Sequence, residues 1–426
     1  AANDSYTNAG NVYGVAQVGG TATWGPYNRV PEHNAGTVRV RASTANYFDS
    51  DFLHPTYCIV RILSYVSSTV VTAEIVRYQM PRSIVDSGTS YWEEGAWSAY
   101  RGYPGAIAFY EQRLFLASTD ADPTVLWSSR TGSYEDFESG AEADDAIAYR
   151  INAGSADVVR WLSSGRVLTA GTSMGEFAIA ASNQNEALTP ANFKAAPQTG
   201  YGSSKCPPVR FGQVVLYPQR HGNTGNSARK LRELAYSFEA DSFNSVDLTV
   251  FAEHITGDGI TRIGFQLQPD GIIWSRREDG QCATCTYERA QEVVAWHRQV
   301  MGGTDAQVQT LAVLPGDSSD DVWVSVSRLI DDPEAMSAED DSVMISEDGF
   351  VMLTEETETV RYIEISQPAF RDTDAKEDAK ILDAMLTYNG NATTTLSGLH
   401  HLRGLDVKVL NNGAVESHTV SATGRI

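Results

Sequence analysis

Residues 102–137 read GYPGAIAFYEQRLFLASTDADPTVLWSSRTGSYEDF. Within them AIAFY and RLFLA flank the charged hinge Glu111-Gln112-Arg113, and a polar turn separates the second run from TVLWSS. Two apolar runs of strand length around a short polar hinge predict a hairpin, and the third run predicts that the sheet continues. The hinge is expected to be a turn rather than a catalytic group.

The same arrangement recurs along the chain. The strand after the hinge, Arg113-Leu-Phe-Leu-Ala, has counterparts in Arg166-Val-Leu-Thr-Ala, Gln213-Val-Val-Leu-Tyr, Gly271-Ile-Ile-Trp-Ser and Asp321-Val-Trp-Val-Ser. Aligned on Leu114, Val167, Val214, Ile272 and Val322, the five units are spaced by 53, 47, 58 and 50 residues. Each has a preceding apolar strand (AIAFY, VVRWL, PPVRF, RIGFQL, TLAVL) and a following one (TVLWSSR, GEFAIAA, RELAYSF, TCTYERA, RYIEIS). Small sheets repeated about every fifty residues have the size of propeller blades, which bury their faces only by stacking on neighbours. The reading is therefore mainly β: a β-propeller-like repeat domain with flanking small β domains. Trp127, Trp161, Trp274 and Trp323 fall inside these strands and are expected to pack between blades.

The expected domains are an N-terminal β domain over 1–96, the propeller-like domain over 97–366, and a C-terminal β element over 367–426. In the first, GTVRVRAS and YCIVRILSYVSSTVVTAEIVRYQM read as strands, with a Ser-Ser turn inside the second segment. In the last, Asn389-Gly390 and Asn412-Gly413 predict hairpin turns. One helix is expected around SVDLTVFAEHI, capped by Ser245 or Asp247. Residues 317–358 carry fourteen acids and one base, Arg328, and the fifth unit is expected to hold an acidic insertion over about 329–359. As a segment it reads first as a solvated loop.

Composition narrows the function classes. The chain has 426 residues and a formal charge of −22, which disfavours a basic face that binds nucleic acid by releasing counterions. No apolar run is long enough to span a membrane, and AANDSYTNAG has neither the basic nor the apolar segment of a signal peptide. The lack of an initiator Met and the end at SATGRI suggest a piece of a longer polypeptide. Four cysteines, Cys58, Cys206, Cys282 and Cys285, do not make a disulfide framework. Cys282-Ala-Thr-Cys285 has the spacing of half a zinc site without a second half, so two small strand side chains are expected.

Catalytic motifs are scarce. Gly171-Thr-Ser-Met-Gly175 lacks the lysine of a phosphate-binding loop; its letters match Gly-x-Ser-x-Gly, but it lies between two strand readings rather than at the strand-to-helix turn of a nucleophile elbow, and no His-Glu-x-x-His helix occurs. His400 and His401 are adjacent, so on a strand they face opposite sides and do not share a metal. Asp317–Asp321 does not match the twelve-residue calcium loop. QPDGIIW and SEDGF only partly echo the Asp boxes of propeller sialidases. No catalytic residue, metal or cofactor is expected.

The run WEEGAWSAYRGYPGAIAFYEQRLFLASTDADPTVLWSSRTGSYEDF, followed by DDAIAYRI and VVRWLSSGRVLTAGTSMGEFAI, resembles the tail nozzle proteins (tail tubular protein B) of short-tailed bacteriophages. The resemblance continues through AAPQTGYGSSKCPPVRFGQVVLYPQR, RKLRELAYSF, DGIIWSR and TYNGNATTTLSGLHHLRGLDVKVLNNGAV, over roughly residues 92–420. It implies a virion structural protein, assembled in the host cytoplasm as a six-fold ring beneath an adaptor ring at the tail's distal end. It further implies contacts with tail fibres, retention of the genome and passage of double-stranded DNA without sequence-specific binding. In such a conduit an acidic lining repels the duplex over about 8 Å at physiological salt and keeps it moving. Asp331, Asp332, Glu334, Glu339, Asp340 and Asp341 are the candidates for that lining. The alternatives are a tail glycan hydrolase of propeller type and a host-receptor binding module.

Overall fold

The computed structural model describes residues 13–16, 36–41, 57–67, 70–77, 80, 85, 91–152, 157–183, 186–222, 228–317, 319–331, 357–366 and 384–426. The chain divides into two compact units, Ala1–Ala170 with Ile179–Ala195, and Gly171–Ala178 with Ala196–Ile426.

The first unit opens with a five-stranded antiparallel sheet in the order β1-β4-β3-β2-β5, made of β1 (Tyr13–Ala16), β2 (Gly36–Arg41), β3 (Tyr57–Ser67), β4 (Val70–Arg77) and β5 (Tyr91–Ser98). Ser67 stands opposite Val70, so β3 and β4 pair as the two arms of a hairpin; Ser68, in the expected turn, lies outside the described residues. Among the sheet's described residues, Cys58, Val60, Ile62 and Ala73 are the buried apolar side chains.

The quoted stretch folds as an antiparallel meander of β6 (Ala106–Tyr110), β7 (Arg113–Ala117), β8 (Val125–Ser128) and β9 (Ala148–Arg150). Tyr110 pairs with Arg113, leaving Glu111 and Gln112 as a two-residue turn with φ of 45° and 58°. Positive φ at both positions is the primed turn whose twist matches the flanking strands. On β7, Arg113, Phe115 and Ala117 alternate into the interior, as a strand covered on one face requires.

Each anchor strand read from the sequence is a strand here. The second sheet runs β10 (Val159–Ser164), β11 (Leu168–Thr172), β12 (Glu176–Ala181), β13 (Phe193–Thr199), and the boundary between the units passes through it. The third runs β14 (Val209–Phe211), β15 (Val214–Pro218), β16 (Leu231–Ser237), β17 (Ser242–Asp247). The fourth runs β18 (Ile260–Gln266), β19 (Ile272–Arg277), β20 (Cys282–Glu288), β21 (Val293–Gln299). The fifth comprises β22 (Gln307–Pro315), β23 (Asp320–Asp331) and β24 (Thr357–Ser366). The fold is thus mainly β, with a propeller-like succession of blade-sized antiparallel meanders. Four sheets have a fourth strand that the repeat did not reveal.

In the second unit the third, fourth and fifth sheets stack face to face. Val214, Leu216 and Leu231 of the third sheet pack with Ile260, Ile263, Ile273 and Cys285 of the fourth. Cys282, on the other face of β20, packs with Val308, Leu311, Val322, Val324 and Val326 of the fifth. Burying a Val, Leu or Ile side chain contributes roughly 1.5–3 kcal/mol, so these seams dominate the unit's stability. Trp274 joins the second seam and donates Nε1–H to Gln266 Oε1 at 3.0 Å. Trp161 is buried, and Trp127 meets Trp97 edge to face at 5.9 Å. Trp323 departs from the expectation: 38% exposed, it lies on the outer face of β23, because the inward positions of that strand belong to Val322 and Val324.

Two further expectations are corrected. Ser242–Asp247 is strand β17, not helix, because Phe243 pairs with Tyr236 across the hairpin and Asp247 Oδ1 accepts hydrogen bonds from Thr249 N and Oγ1 at 2.9 and 2.6 Å. That Asx-type turn ends the strand, and helix α1 is confined to Glu253–Thr256. In the C-terminal element β25 (Asp406–Asn411) and β26 (Ala414–Thr419) are joined at Asn412-Gly413, with φ of 47° and 85°, as the dipeptide predicts. Asn389-Gly390 makes no hairpin; it lies in an irregular stretch where the Tyr388 hydroxyl donates to Asn391 O at 2.8 Å.

Candidate functional site

The acidic run is anchored at both ends by the fifth sheet. Leu329 and Ile330 are still in β23, Glu358 and Thr359 already in β24, and Asp331 stands opposite Thr357 in the last described pair. Of the candidate lining residues, Asp331 is the terminal residue of β23, while Asp332, Glu334, Glu339, Asp340 and Asp341 fall outside the described residues.

The run's charge is not offset from within. Its single base, Arg328, is 1% exposed and spends its guanidinium on Glu364, reached through both terminal nitrogens, and on Gly302 O, 2.6 Å from Nε. The guanidinium also lies 5.5 Å from the Tyr362 ring centre. At the other end of β23, Asp320 Oδ2 accepts from the amides of Leu267 and Gln268 at 2.7 and 3.0 Å, and Asp320 N donates to Gln268 O. That carboxylate fastens the loop after β18 to the fifth sheet. Among the described residues no His, Cys, Asp and Glu side chains group as a metal site.

A second cluster had no sequence signal. Glu176, fully buried at the start of β12, accepts hydrogen bonds from the hydroxyls of Thr199 and Ser203, the latter at 2.9 Å. Tyr217 OH and Ser245 Oγ lie 2.9 Å apart beside it, and Arg232 donates to Gln219 Oε1 at 2.7 Å and to Ser245 O at 3.0 Å. Burial pushes the Glu176 carboxyl up, against the opposing pull of the hydroxyl donors and Arg232. Two glycines permit the close approach: a Cβ on Gly175 would sit 2.5 Å from Thr199 O, and one on Gly202, at φ +77°, 2.4 Å from Ser173 O. The Gly171–Gly175 segment therefore makes the β11–β12 turn that delivers Glu176 to its partners. The carboxyl thereby ties β12 to the end of β13 and the segment beyond it.

Arg113 is also enclosed, at 1% exposure. Its Nη1 donates to Ser129 O and Asp145 O at 2.9 and 2.6 Å, and Nη2 to Ala143 O at 2.7 Å. It thereby fixes the excursion between β8 and β9. Of the other hinge residues, Glu111 Oε2 accepts from Leu188 N at 2.8 Å and Gln112 O from Gly132 N at 2.8 Å. These contacts account for the hinge as a turn.

Cys282 and Cys285 point to opposite faces of β20, so they cannot share an ion or a disulfide; burial pushes each thiol up to about 12. His400 and His401 lie in a 3₁₀ turn (His400–Leu402) rather than a strand and have separate partners, Arg403 and Ala384 O. Among the described residues no helix is long and apolar enough to cross a membrane.

No family model matches the chain, and no curated protein matches it. Among solved structures, the β-propeller domain of Myceliophteria thermophila Cps50 (Swd1) aligns at 9% identity over 63% of this chain and 76% of its own, with a TM-score of 0.32. Human WBSCR16 aligns at 12% identity over 77% and 79%, with a TM-score of 0.33. Similarity at this level adds nothing to the fold assignment made from the sheets themselves.

Proposed function

We propose that this chain is a structural subunit of a short-tailed phage tail nozzle. In this reading it assembles as a ring around the distal DNA channel, holds the packaged genome and lets it pass on infection. The observation that carries the reading is the ordered series of segments resembling nozzle proteins: from AIAFYEQRLFLA to DGIIWSR they fall, in the same order, on the strands of successive meanders. The interior acids Glu176 and Glu233 support it. The first is closed in by hydroxyls and the second by Tyr287 and Arg289 at 2.7 Å each, which suits a packing role. A run of fourteen acids and one base suits a channel mouth that repels the duplex. Partners in this reading are further copies of the chain, an adaptor ring and tail fibres, and the site of action is the virion.

The test is electron microscopy of the purified assembly. The expected result is a six-fold ring with a central hole. A monomer that cleaves host polysaccharide would overturn the reading in favour of a tail glycan hydrolase.

A further inference from the structure

We propose that a cleft in the third sheet binds a small phosphate-bearing anion. Residues that follow β15, residues that precede and open β16, and the α1 segment line it: Gln219, Arg220, His221, Arg229, Lys230, Glu253 and Gly257 surround a space of about 340 Å³. That volume lies in the range of small-ligand sites. In a chain with 54 acids and 32 bases, three bases and a histidine gather here around one carboxylate of the lining.

The charges are arranged unequally. Lys230 Nζ is held by Asp247 Oδ2 at 2.8 Å and Glu253 Oε1 at 3.4 Å. Among the described residues no carboxylate lies within ion-pair distance of Arg220 or Arg229, so two guanidinium charges are left for a ligand. The frame is rigid. Gln219 N donates to Lys230 O at 2.8 Å, Arg220 N to Gly202 O at 3.0 Å, and Thr256 Oγ1 to Arg229 O at 2.7 Å. The Gln219 side chain is fixed by Arg232. Two guanidinium forks on a fixed frame suit a tetrahedral oxyanion, whose oxygens accept bidentate hydrogen bonds. Glu253, 68% exposed at its side chain, opposes the anion and limits affinity.

This inference does not rest on the nozzle assignment, and the two fail separately: ring formation is read by microscopy, ligand binding by titration of the soluble chain. The experiment is isothermal titration of the full chain with pyrophosphate, inorganic phosphate and a short DNA duplex. Saturable pyrophosphate binding with a Kd below about 1 mM is expected. Arg220→Gln and Arg229→Gln should each weaken it about tenfold, whereas Lys194→Gln, which removes an exposed base of β13, should leave it unchanged. Glu253→Gln should tighten it roughly two- to fivefold, an effect that a purely structural role for the cleft would not produce. Unchanged circular dichroism and melting temperature in the absence of ligand establish that the variants fold. Heats that do not saturate by about 10 mM, or equal losses in Lys194→Gln and the cleft variants, would overturn the proposal. Duplex binding with the same arginine dependence and no pyrophosphate binding would overturn it too, and would assign the cleft to a nucleic-acid backbone.

Discussion

Arg113→Met should loosen the excursion between β8 and β9 and destabilise the first unit. The guanidinium gives three hydrogen bonds to main-chain carbonyls, at Ser129, Ala143 and Asp145, from a position 1% exposed. Methionine fills much of the same volume but donates nothing, so the Ala143 and Asp145 carbonyls lose the guanidinium donor and Ser129 O keeps only Ser128 Oγ, at 3.1 Å. An unsatisfied buried polar group costs about 1–3 kcal/mol, and hydrogen bonds from a charged donor contribute about 1.5–3 each. Part of the loss is recovered, because the stretch around Ala143 is exposed and can take up water. The expected net cost is therefore about 3–5 kcal/mol, a large share of a domain's usual stability. The ion pair of Arg130 with Asp144 at 2.7 Å does not substitute for it, being open to solvent. Hydrogen exchange is the suitable assay, read at the amides of Arg130, Thr131 and Ala146, which bond to Asp136, Asp144 and Glu138 carbonyls. Their protection should fall by two orders of magnitude or more, while β20 amides in the second unit keep theirs. Arg113→Lys, a point donor instead of a fork, should give an intermediate loss. Protection unchanged within threefold in Arg113→Met would refute the clamp.

Glu176→Gln should flatten a loss of stability as pH rises above the unfolded carboxyl's value. With the folded-state carboxyl raised above its unfolded value, stability is fully present below about pH 4.3 and falls as pH rises through the folded-state value, by about 1.4 kcal/mol per unit along that leg. Glutamine can still meet both hydroxyls, so urea midpoints measured against pH should lose this slope and rise at pH 7; an unchanged slope counts against the assignment. Gln112→Gly should stabilise by about 0.5–1 kcal/mol, since φ of 58° is a position glycine takes freely, and a lower melting temperature would contradict this. Gly175→Ala should cost more than 2 kcal/mol by thermal unfolding, because its methyl would stand 2.5 Å from Thr199 O. Converting Asp331, Asp332, Asp340 and Asp341 to Asn or Ser should slow genome ejection from particles; unchanged ejection and particle stability would remove the acidic run from the channel.

The strands of the meanders were legible because their apolar runs recur with a polar hinge at a near-constant period. The fourth strands were not. Ala148–Arg150, Phe193–Thr199 and Ser242–Asp247 are half-exposed and mixed in composition, and the neighbour's free edge, not their own residues, makes them strands. For the same reason a capping aspartate was misread: Asp247 ends a strand as readily as it starts a helix, and the partner strand decided. Asn412-Gly413 was legible because strands flank it, whereas Asn389-Gly390 has none among the described residues. Arg113 and Glu176 carried no signal, since their partners lie 16–32 and 23–27 residues away and are brought close only by the sheets. The acidic run was visible in full as charge, and among its described residues Asp320–Asp331, Thr357 and Glu358 belong to the ladder.

The placement of Cys282 and Cys285 makes β20 a built-in two-channel reporter. Each thiol is sealed in a different seam, one against the fifth sheet and one against the third, and each is unreactive while its seam is closed. Alkylation at Cys282 alone would therefore time the parting of the fourth and fifth sheets, and alkylation at Cys285 alone that of the third and fourth. One three-residue step along a strand thus separates two opening events that a global melting curve would merge into one.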